Sequence, residues 1–238
     1  MNERPNALAR TEDFGFEALR TAERYPRALL REFTPYLRGR VLEVGAGVGH
    51  FTALLATLPT IEHLLAIEPE ARFVATLRRA LPRQAVLEGT IHDLNDPGPW
   101  DALVSVNVLE HIRDDAAELA AYRRRLAERN GHLCLFVPAR RELYAPLDAD
   151  FGHYRRYHRP ELRAKLQAAG FDVVRLHYFN AVGYFAWGIR FRLLKNRRLN
   201  ARSVRWFDRW IFPPCYALES RLGWPPFGQS LLAVAQAR

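Results

Sequence analysis

The chain has 238 residues and a net charge of +9, with 49% hydrophobic and 26% charged residues. This composition excludes a disordered chain and provides enough apolar side chains for a sizeable core. The two cysteines, Cys134 and Cys215, are too few for a disulfide framework or a cysteine-based metal site, so we expect a reducing compartment and no metal. The first residues lack the apolar segment of a secretory signal, and no apolar run reaches the roughly 18 residues of a membrane span, so we expect a cytoplasmic protein.

The positive charge is concentrated near the end of the chain. Residues 176–238 contain ten Arg and Lys but only two Asp and Glu, so this part carries +8 of the total charge. Such asymmetry indicates an anionic partner, an anionic substrate or a negatively charged membrane surface for this part of the protein.

Hydrophobic periodicity predicts an α/β fold. A helix is predicted over residues 16–38, with a break at Pro26. After it, apolar runs and helical stripes alternate: strands are predicted at 41–45, 63–68, 85–90, 101–107, 132–138, 171–179 and 230–237, and helices at 51–58, 71–81, 114–129 and 160–170. This alternation is typical of a mostly parallel sheet with helices on both faces.

A glycine-rich loop follows the first predicted strand. The segment VLEVGAGVGHF covers residues 41–51, between that strand and the next helix, and its glycines allow a tight turn close to a ligand. His50 occupies the third glycine position of a dinucleotide-binding GxGxxG fingerprint, and no GK[ST] of a Walker loop follows. The spacing is instead GxGxG, with Glu43 two residues before the first glycine.

The pattern ExGxGxG resembles motif I of the class I methyltransferases that depend on S-adenosylmethionine (SAM). Further segments match in order over about residues 41–178: the acid Glu68 at the end of the second strand, and WDALVSVNVLEHI at 100–112. The resemblance implies a Rossmann-like seven-stranded sheet with an antiparallel last strand, and SAM as the cofactor, released as S-adenosylhomocysteine. It assigns cofactor binding to Glu43, Gly45, Gly47, Gly49, Glu68, Thr90, Ile91 and Asn107.

A second resemblance lies after the fifth strand. FGHYRRYHRPEL at 151–162 is similar to a GHxRRY stretch in bacterial methyltransferases often encoded near glycan or lipid-glycan enzymes. It implies that His153 and Tyr157 deprotonate or orient the acceptor and that Arg155 or Arg156 binds a carboxylate or phosphate. His111, in the LEHI segment, is another candidate base. The alternatives are that His111 orders its loop and that residues 153–157 form a solvated basic helix start.

The stretch of residues 179–228 is too long to be an idle connection between two strands. It contains twelve of the 28 aromatic residues and nine Arg and Lys. Amphipathic helices are predicted at 181–195 and 203–212, the second ended by Pro213 and Pro214. We expect a cap that binds the acceptor through Tyr184 and Trp187 and rests peripherally on anionic membranes at the inner face; the alternative is a structural cap or dimer contact.

The predicted organisation is a single methyltransferase domain: a helical region at 1–38, a SAM-binding core at 39–178, the cap at 179–228 and the last strand at 229–238. The predicted function is methyl transfer to oxygen or nitrogen of a small or lipid-linked, anionic acceptor. Two alternatives stay open. One is a nucleic-acid methyltransferase or RNA-binding module, which the sequence pI near 10.0 favours but the lack of a basic arm or NPPY motif disfavours. The other is a SAM-binding protein without turnover. The oligomeric state is open.

Overall fold

The structure is a computed structural model that describes residues 21–95 and 98–238. Its first described helix, α1, is Arg24–Phe33, and a 3₁₀ turn at Thr34–Tyr36 follows. Pro26 lies in the first turn of α1, where a proline removes no intrahelical hydrogen bond, so the predicted break at Pro26 is wrong. Residues 16–20 of the predicted helix lie outside the described residues.

Strands and helices then alternate as the periodicity predicts. The strands are β1 Gly39–Val44, β2 Ile61–Glu68, β3 Ala85–Glu88, β4 Ala102–Val106, β5 His132–Pro138, β6 Phe171–Phe179 and β7 Ser230–Ala237. The helices after α1 are α2 His50–Leu55, α3 Ala71–Ala80, α4 Asp115–Leu126, α5 Pro146–Asp150, α6 Arg159–Ala168, α7 Ala181–Trp187, α8 Ala201–Trp206 and α9 Phe212–Leu222. None of the helices in the described ranges is long and apolar enough to cross a membrane.

The seven strands form one sheet in the order β3-β2-β1-β4-β5-β7-β6. The first five pair in parallel. The last strand runs antiparallel to β5, because Ala139 N donates to Gln229 O at one end (2.9 Å) and Ala237 N donates to Gly131 O at the other (3.0 Å). The predicted fold class, a mostly parallel methyltransferase-type sheet with an antiparallel last strand, is confirmed.

The central strands are mostly apolar because both faces of the sheet are covered. Side chains of β1, β4 and β5 such as Leu42, Leu103 and Leu135 are inaccessible to solvent. A parallel strand that is buried on both sides has no polar alternation, which is why these strands appear in the sequence as continuous apolar runs.

The chain divides into two compact units. The sheet unit comprises residues 29–137, 159–176 and 232–238, and the helical unit comprises the described residues 21–28 together with 138–158 and 177–231. The helical unit thus contains the predicted cap and also residues 138–158, which include α5, a helix that the sequence did not predict.

The helix predicted at 181–195 is present with nearly those bounds, whereas the one predicted at 203–212 runs longer than predicted. The helix α7 continues as a π-helical turn, Gly188–Leu193, and a second π-helical turn, Phe207–Ile211, joins α8 to α9. Pro213 and Pro214 were expected to end the helix, but they lie in the first turn of α9, which continues to Leu222. That prediction is wrong because the π-helical turn Phe207–Ile211 directly before the prolines shifts the hydrogen-bond pattern, so the helix continues through them.

Candidate active site

Strand order reverses between β1 and β4, which places two loops at the same edge of the sheet. Val44 pairs with Ile67 of β2 on one side and with Ser105 of β4 on the other. The carboxyl ends of these parallel strands therefore meet, and ligands of open α/β sheets bind in the crevice at such a reversal. The loops concerned are the glycine loop, residues 45–49, and the turn that begins at Asn107.

Each glycine of the glycine loop has a positive φ, but the reasons for glycine differ. A Cβ on Gly45 would lie 2.3 Å from Cγ2 of Val108, so close packing excludes any side chain there. A Cβ on Gly47 would meet no atom within 4 Å, although its φ of +56° already disfavours other residues. Open space beside a half-buried backbone is what a ligand lying against this loop requires, so the loop fits a bound cofactor.

The carboxylate of Glu68 fixes the glycine loop to β2. Its Oε2 accepts a hydrogen bond from Gly47 N (2.7 Å), and its Oε1 accepts one from Glu70 N (3.0 Å). Burial raises the pKa of Glu68, and these two backbone donors counteract the rise. Each oxygen retains acceptor capacity for one more donor, so the carboxylate could also bind the hydroxyls of a sugar.

A second carboxylate, that of Glu43, is buried near the carboxyl end of β1. Burial raises the pKa of Glu43 to about 7, and the charge of Glu68 adds to the rise. The hydroxyl of Thr52 on α2 opposes this rise as a hydrogen-bond donor, while Oε2 of Glu43 has no donor within strict hydrogen-bonding geometry among the described residues. A buried carboxylate with little compensation favours its protonated form near neutral pH.

The remaining cofactor candidates differ in how far the fold already uses them. Asn107 is exposed and has a φ of +54°, and its backbone N–H donates to Phe136 O (2.8 Å). Thr90 caps the 3₁₀ turn Ile91–Asp93: its hydroxyl donates to Oδ2 of Asp93 (2.7 Å) and accepts from His92 N (3.3 Å). Ile91 is buried. The hydroxyl of Thr90 is therefore already engaged in capping this turn, whereas Asn107 is exposed at the sheet edge.

His111 is the candidate base that belongs to the sheet unit. It ends the 3₁₀ turn Leu109–His111, is half-buried, and donates its backbone N–H to Val108 O (2.9 Å). The turn follows β4 directly, so His111 lies at the carboxyl edge of the sheet as predicted from its position in the chain.

The helical unit contains a buried ionic cluster that the sequence analysis only partly identified. Asp148 on α5 is fully buried, and its Oδ1 accepts hydrogen bonds from His153 Nδ1 (2.9 Å) and Arg156 Nε (2.9 Å). Its Oδ2 accepts from Ala145 N (2.8 Å). Burial opposes ionisation, but the His153 hydrogen bond and the charge of Arg156 outweigh it and lower the pKa of Asp148.

Asp148 was missed because no local pattern separates it from an ordinary helix-capping acid. It lies five residues before His153 and two after Pro146, where an acidic residue in the first turn of a helix is common. A signal was present: an Asp upstream of a predicted catalytic His is the residue type that orients imidazole rings.

The other predicted residues of the GHxRRY stretch lie in different environments. Arg156 is buried; it also donates through Nη1 to Ala139 O (3.2 Å) and stacks on Trp187 at 4.7 Å. Tyr157 is fully buried, and its backbone pairs with residues 138–140. Arg155 is half-buried, with its guanidinium 5.8 Å from the ring of Tyr154.

The two aromatic candidates of the predicted cap lie on α7. Trp187 donates its indole N–H to Leu143 O (3.2 Å) and packs against Phe191. Tyr184 is half-buried, and the guanidinium of Arg140 lies 5.8 Å from its ring. The structure therefore brings Trp187 together with the Asp148, His153 and Arg156 cluster through Arg156.

A comparison with protein families identifies the chain. The sequence profile of a methyltransferase domain family matches residues 17–176, which is more than half of the chain. The chain belongs to this methyltransferase family. Its class I, SAM-dependent type, predicted from the glycine loop and the order of the motifs, is confirmed.

Solved structures share this fold at low sequence identity. A chain of the complex between the Trm112 methyltransferase activator of Haloferax volcanii and a methyltransferase is 19% identical, with a TM-score of 0.63 over 97% of this chain and 93% of that one. A SAM-dependent methyltransferase from Mesorhizobium loti is 16% identical, with a TM-score of 0.58 over 87% and 95%. DhpI, in complex with S-adenosylhomocysteine (SAH), is 18% identical, with a TM-score of 0.56 over 90% and 83%. No curated protein matches the chain significantly.

Proposed function

We propose that this methyltransferase transfers a methyl group from SAM to an oxygen or nitrogen atom of a small or lipid-linked acceptor that carries an anionic group. The observation that carries the proposal is the hydrogen bond between His153 Nδ1 and the fully buried carboxylate of Asp148. A histidine held in this way is suited to take up the proton that such an acceptor loses.

Residues of the sheet unit are proposed to hold SAM. The open space at Gly47 allows the ligand to lie against the loop backbone, and Glu68 binds the ribose hydroxyls. Ile91 packs on the adenine, and Asn107 binds the methionine part. The rest of the predicted set, Glu43, Gly45, Gly49 and Thr90, shapes the loops around these contacts. When bound, SAM supplies a methyl group that its sulfonium already activates, so the protein has to align the acceptor and accept a proton.

The hydrogen bond to Asp148 selects the tautomer of His153. With the proton on Nδ1, the lone pair of the ring lies on Nε2, a tautomer assigned from this hydrogen bond. The acceptor's O–H or N–H gives its proton to Nε2 while its lone pair forms the new bond to the methyl carbon. The electron pair of the carbon–sulfur bond returns to sulfur, which balances the charge.

The proposed acceptor site divides the predicted substrate residues by role. Arg156 and Tyr157 act as positioning residues, since one is engaged by Asp148 and the other is fully buried. Arg155 binds the anionic group, because a guanidinium can hold a carboxylate or phosphate with two parallel hydrogen bonds. Tyr184 and Trp187 contact the apolar body of the acceptor.

The test is an acceptor screen with SAM labelled in its methyl group, run on the wild type, His153→Asn and His111→Asn. We expect label to appear in an anionic small-molecule or lipid fraction with the wild type and His111→Asn, and to be lost with His153→Asn. Loss with His111→Asn alone would assign the base to His111 instead. Label that enters RNA rather than these fractions would contradict the proposed acceptor class.

A further inference from the structure

The longest helical segment of the helical unit, α8 to α9, exposes one continuous stripe. Every fourth residue along it is exposed: Arg202, Trp206, Trp210, Pro214, Leu218 and Leu222. The four large apolar side chains in this stripe have exposed fractions from 59% to 78%. Exposed tryptophan and leucine side chains arranged along one helix face mark an interaction surface and not a random scatter of surface residues.

The opposite face of the same segment is fixed to the protein. Asp208, Phe212, Tyr216 and Glu219 are all buried. The carboxylate of Asp208 accepts hydrogen bonds from the backbone N–H groups of residues 23–25, at 2.8–3.0 Å, and thereby caps the start of α1. The outward direction of the Trp206 and Trp210 stripe is therefore set by the packing of its inner face.

A shorter stripe occurs on α7 and the π-helical turn that continues it. Phe185, Ile189 and Leu193 follow each other at a spacing of four residues, and all three are exposed, as is Leu194. The buried Phe191 lies on the other side of this helix, in a cluster with Ala145 and Leu147. Both helices of the segment thus present apolar side chains to solvent and keep their packing residues inside.

The charge on residues 181–222, which include α7, α8 and α9, has one sign at the surface. Both of its acids, Asp208 and Glu219, point inward, and Glu219 accepts hydrogen bonds from the N–H groups of Asn180 and Ala181. Of its nine cations, Arg197 pairs with Asp150. For the other eight the described parts of the chain show no acidic partner: Arg190, Arg192, Lys195, Arg198, Arg202, Arg205, Arg209 and Arg221.

From these observations we infer that residues 181–222 form a docking surface for an anionic lipid bilayer, with α8 and α9 lying in the plane of the membrane interface. Trp206, Trp210, Leu218 and Leu222 enter the headgroup region, and the cations beside them contact lipid phosphates while their stems cover apolar surface. The absence of exposed acids in this segment favours a negatively charged surface as its partner.

Charge complementarity also argues against a second copy of the same surface. A two-fold contact would place these cations opposite one another, and like charges across an interface oppose association. No helix in the described residues spans a bilayer, so the inferred arrangement lies on the membrane and does not cross it. The inference is independent of the proposed methyl transfer, since it needs neither SAM nor an acceptor.

The test is flotation of the full chain with vesicles of phosphatidylcholine alone and vesicles that also contain phosphatidylglycerol, without SAM or acceptor. Two variants probe the surface: Trp206→Ser with Trp210→Ser, and Arg202→Glu with Arg205→Glu and Arg209→Glu. The matched control reverses three exposed arginines of the sheet unit, Arg83→Glu, Arg124→Glu and Arg163→Glu, and changes the net charge by the same amount.

We expect the wild type to bind the anionic vesicles and to be released by salt. The triple arginine variant should bind at least about a hundredfold more weakly, at about 1 kcal/mol for each cation removed, and the tryptophan variant about tenfold more weakly. The control variant should bind like the wild type.

Two binding results would overturn the inference: no preference of the wild type for anionic vesicles, or an equal loss of vesicle binding in the control variant. A third is that the wild type sediments as a dimer and the tryptophan variant as a monomer, while neither protein binds vesicles. Quenching of tryptophan fluorescence by brominated lipids gives a second readout. It should be present in the wild type and strongly reduced in the tryptophan variant, which retains Trp100, Trp187 and Trp224.

Discussion

The side chain of His153 reaches back five residues to Asp148, with 2.9 Å between His153 Nδ1 and Asp148 Oδ1, and the same carboxylate oxygen accepts a hydrogen bond from Arg156. A single buried carboxylate therefore positions both a histidine and an arginine. Removing the imidazole and removing the carboxylate should have separable effects, the first on turnover and the second on stability as well.

Replacing His153 by Asn should lower turnover and leave SAM binding intact. If His153 accepts the acceptor's proton, loss of the imidazole should reduce kcat by about 10²–10⁴-fold, the usual contribution of a general base. Isothermal calorimetry with SAM should give an affinity like that of the wild type. His158→Asn, in the same segment, is the control and should retain activity; weaker SAM binding with normal turnover in His153→Asn would contradict the assignment.

Replacing Asp148 by Asn should destabilise the protein in a pH-dependent manner. The variant leaves the buried guanidinium of Arg156 without its carboxylate, which costs about 3–5 kcal/mol of unfolding free energy near neutral pH. Because the pKa of Asp148 is lowered in the fold, its contribution is present above the ordinary value of 3.8 and is lost as the pH falls below it. In urea unfolding, the difference in unfolding free energy between the wild type and the variant should therefore become smaller at acidic pH.

Asp172→Asn provides the comparison for that experiment. Asp172 also has a lowered pKa, from its hydrogen bond to Arg238, but this pair lies at the surface. Water screens an exposed pair, so this variant should unfold almost like the wild type at every pH. Equal losses in both variants would mean that burial of the Asp148 cluster has no special effect.

Replacing Glu68 by Gln should weaken SAM binding by about 10–150-fold, corresponding to about 1.5–3 kcal/mol for hydrogen bonds to a charged group. Gln cannot accept with both side-chain atoms, so it loses either the Gly47 contact or a ribose hydroxyl. Glu88→Gln is the matched control, because Glu88 pairs with Glu68 in the neighbouring strand and is exposed. Calorimetry that finds equal affinities for the two variants would refute the role of Glu68.

Replacing Gly47 by Ala should reduce SAM affinity at least about tenfold if the ligand lies against this backbone. A Cβ there meets no protein atom, so the loss of stability should be limited to about 1 kcal/mol for the positive φ. Gly223→Ala is the control: Gly223 also has a positive φ and open space around it, but it follows α9 in the helical unit. Thermal unfolding should shift at least as much in Gly223→Ala, because its φ of 98° and ψ of 150° are angles that essentially only glycine adopts, and only Gly47→Ala should lose SAM binding.

Replacing Glu43 by Gln should stabilise the protein at alkaline pH. The folded pKa of about 7 exceeds the ordinary value of 4.5, so the folded state binds the proton more tightly and the wild type loses stability as the pH rises between these values. Above that range the variant should be more stable by up to about 3 kcal/mol, and the difference should shrink towards pH 4.5. Glu62→Gln, at an exposed position of β2, should show no such trend in urea unfolding.

The sequence by itself determined the order of strands and helices and the position of the glycine loop. These features depend on local chemistry: apolar runs such as residues 132–138 form strands that are buried on both faces, and glycines at 45, 47 and 49 permit backbone angles that other residues avoid. The same local signals predicted the methyltransferase family, because its motifs follow one another at the ends of consecutive strands.

Tertiary structure alone decided which residues share a site and which surfaces stay exposed. Asp148 acquires its partners only when α5 and the residues after it fold together, and Arg156 becomes buried instead of solvated for the same reason. Pro213 and Pro214 looked like a helix end, yet a π-helical turn before them allows the helix to continue. Periodicity predicts that a helix has two faces, but the partner that covers one of them comes from distant parts of the chain, as when Asp208 caps α1 and leaves Trp206 and Trp210 facing solvent.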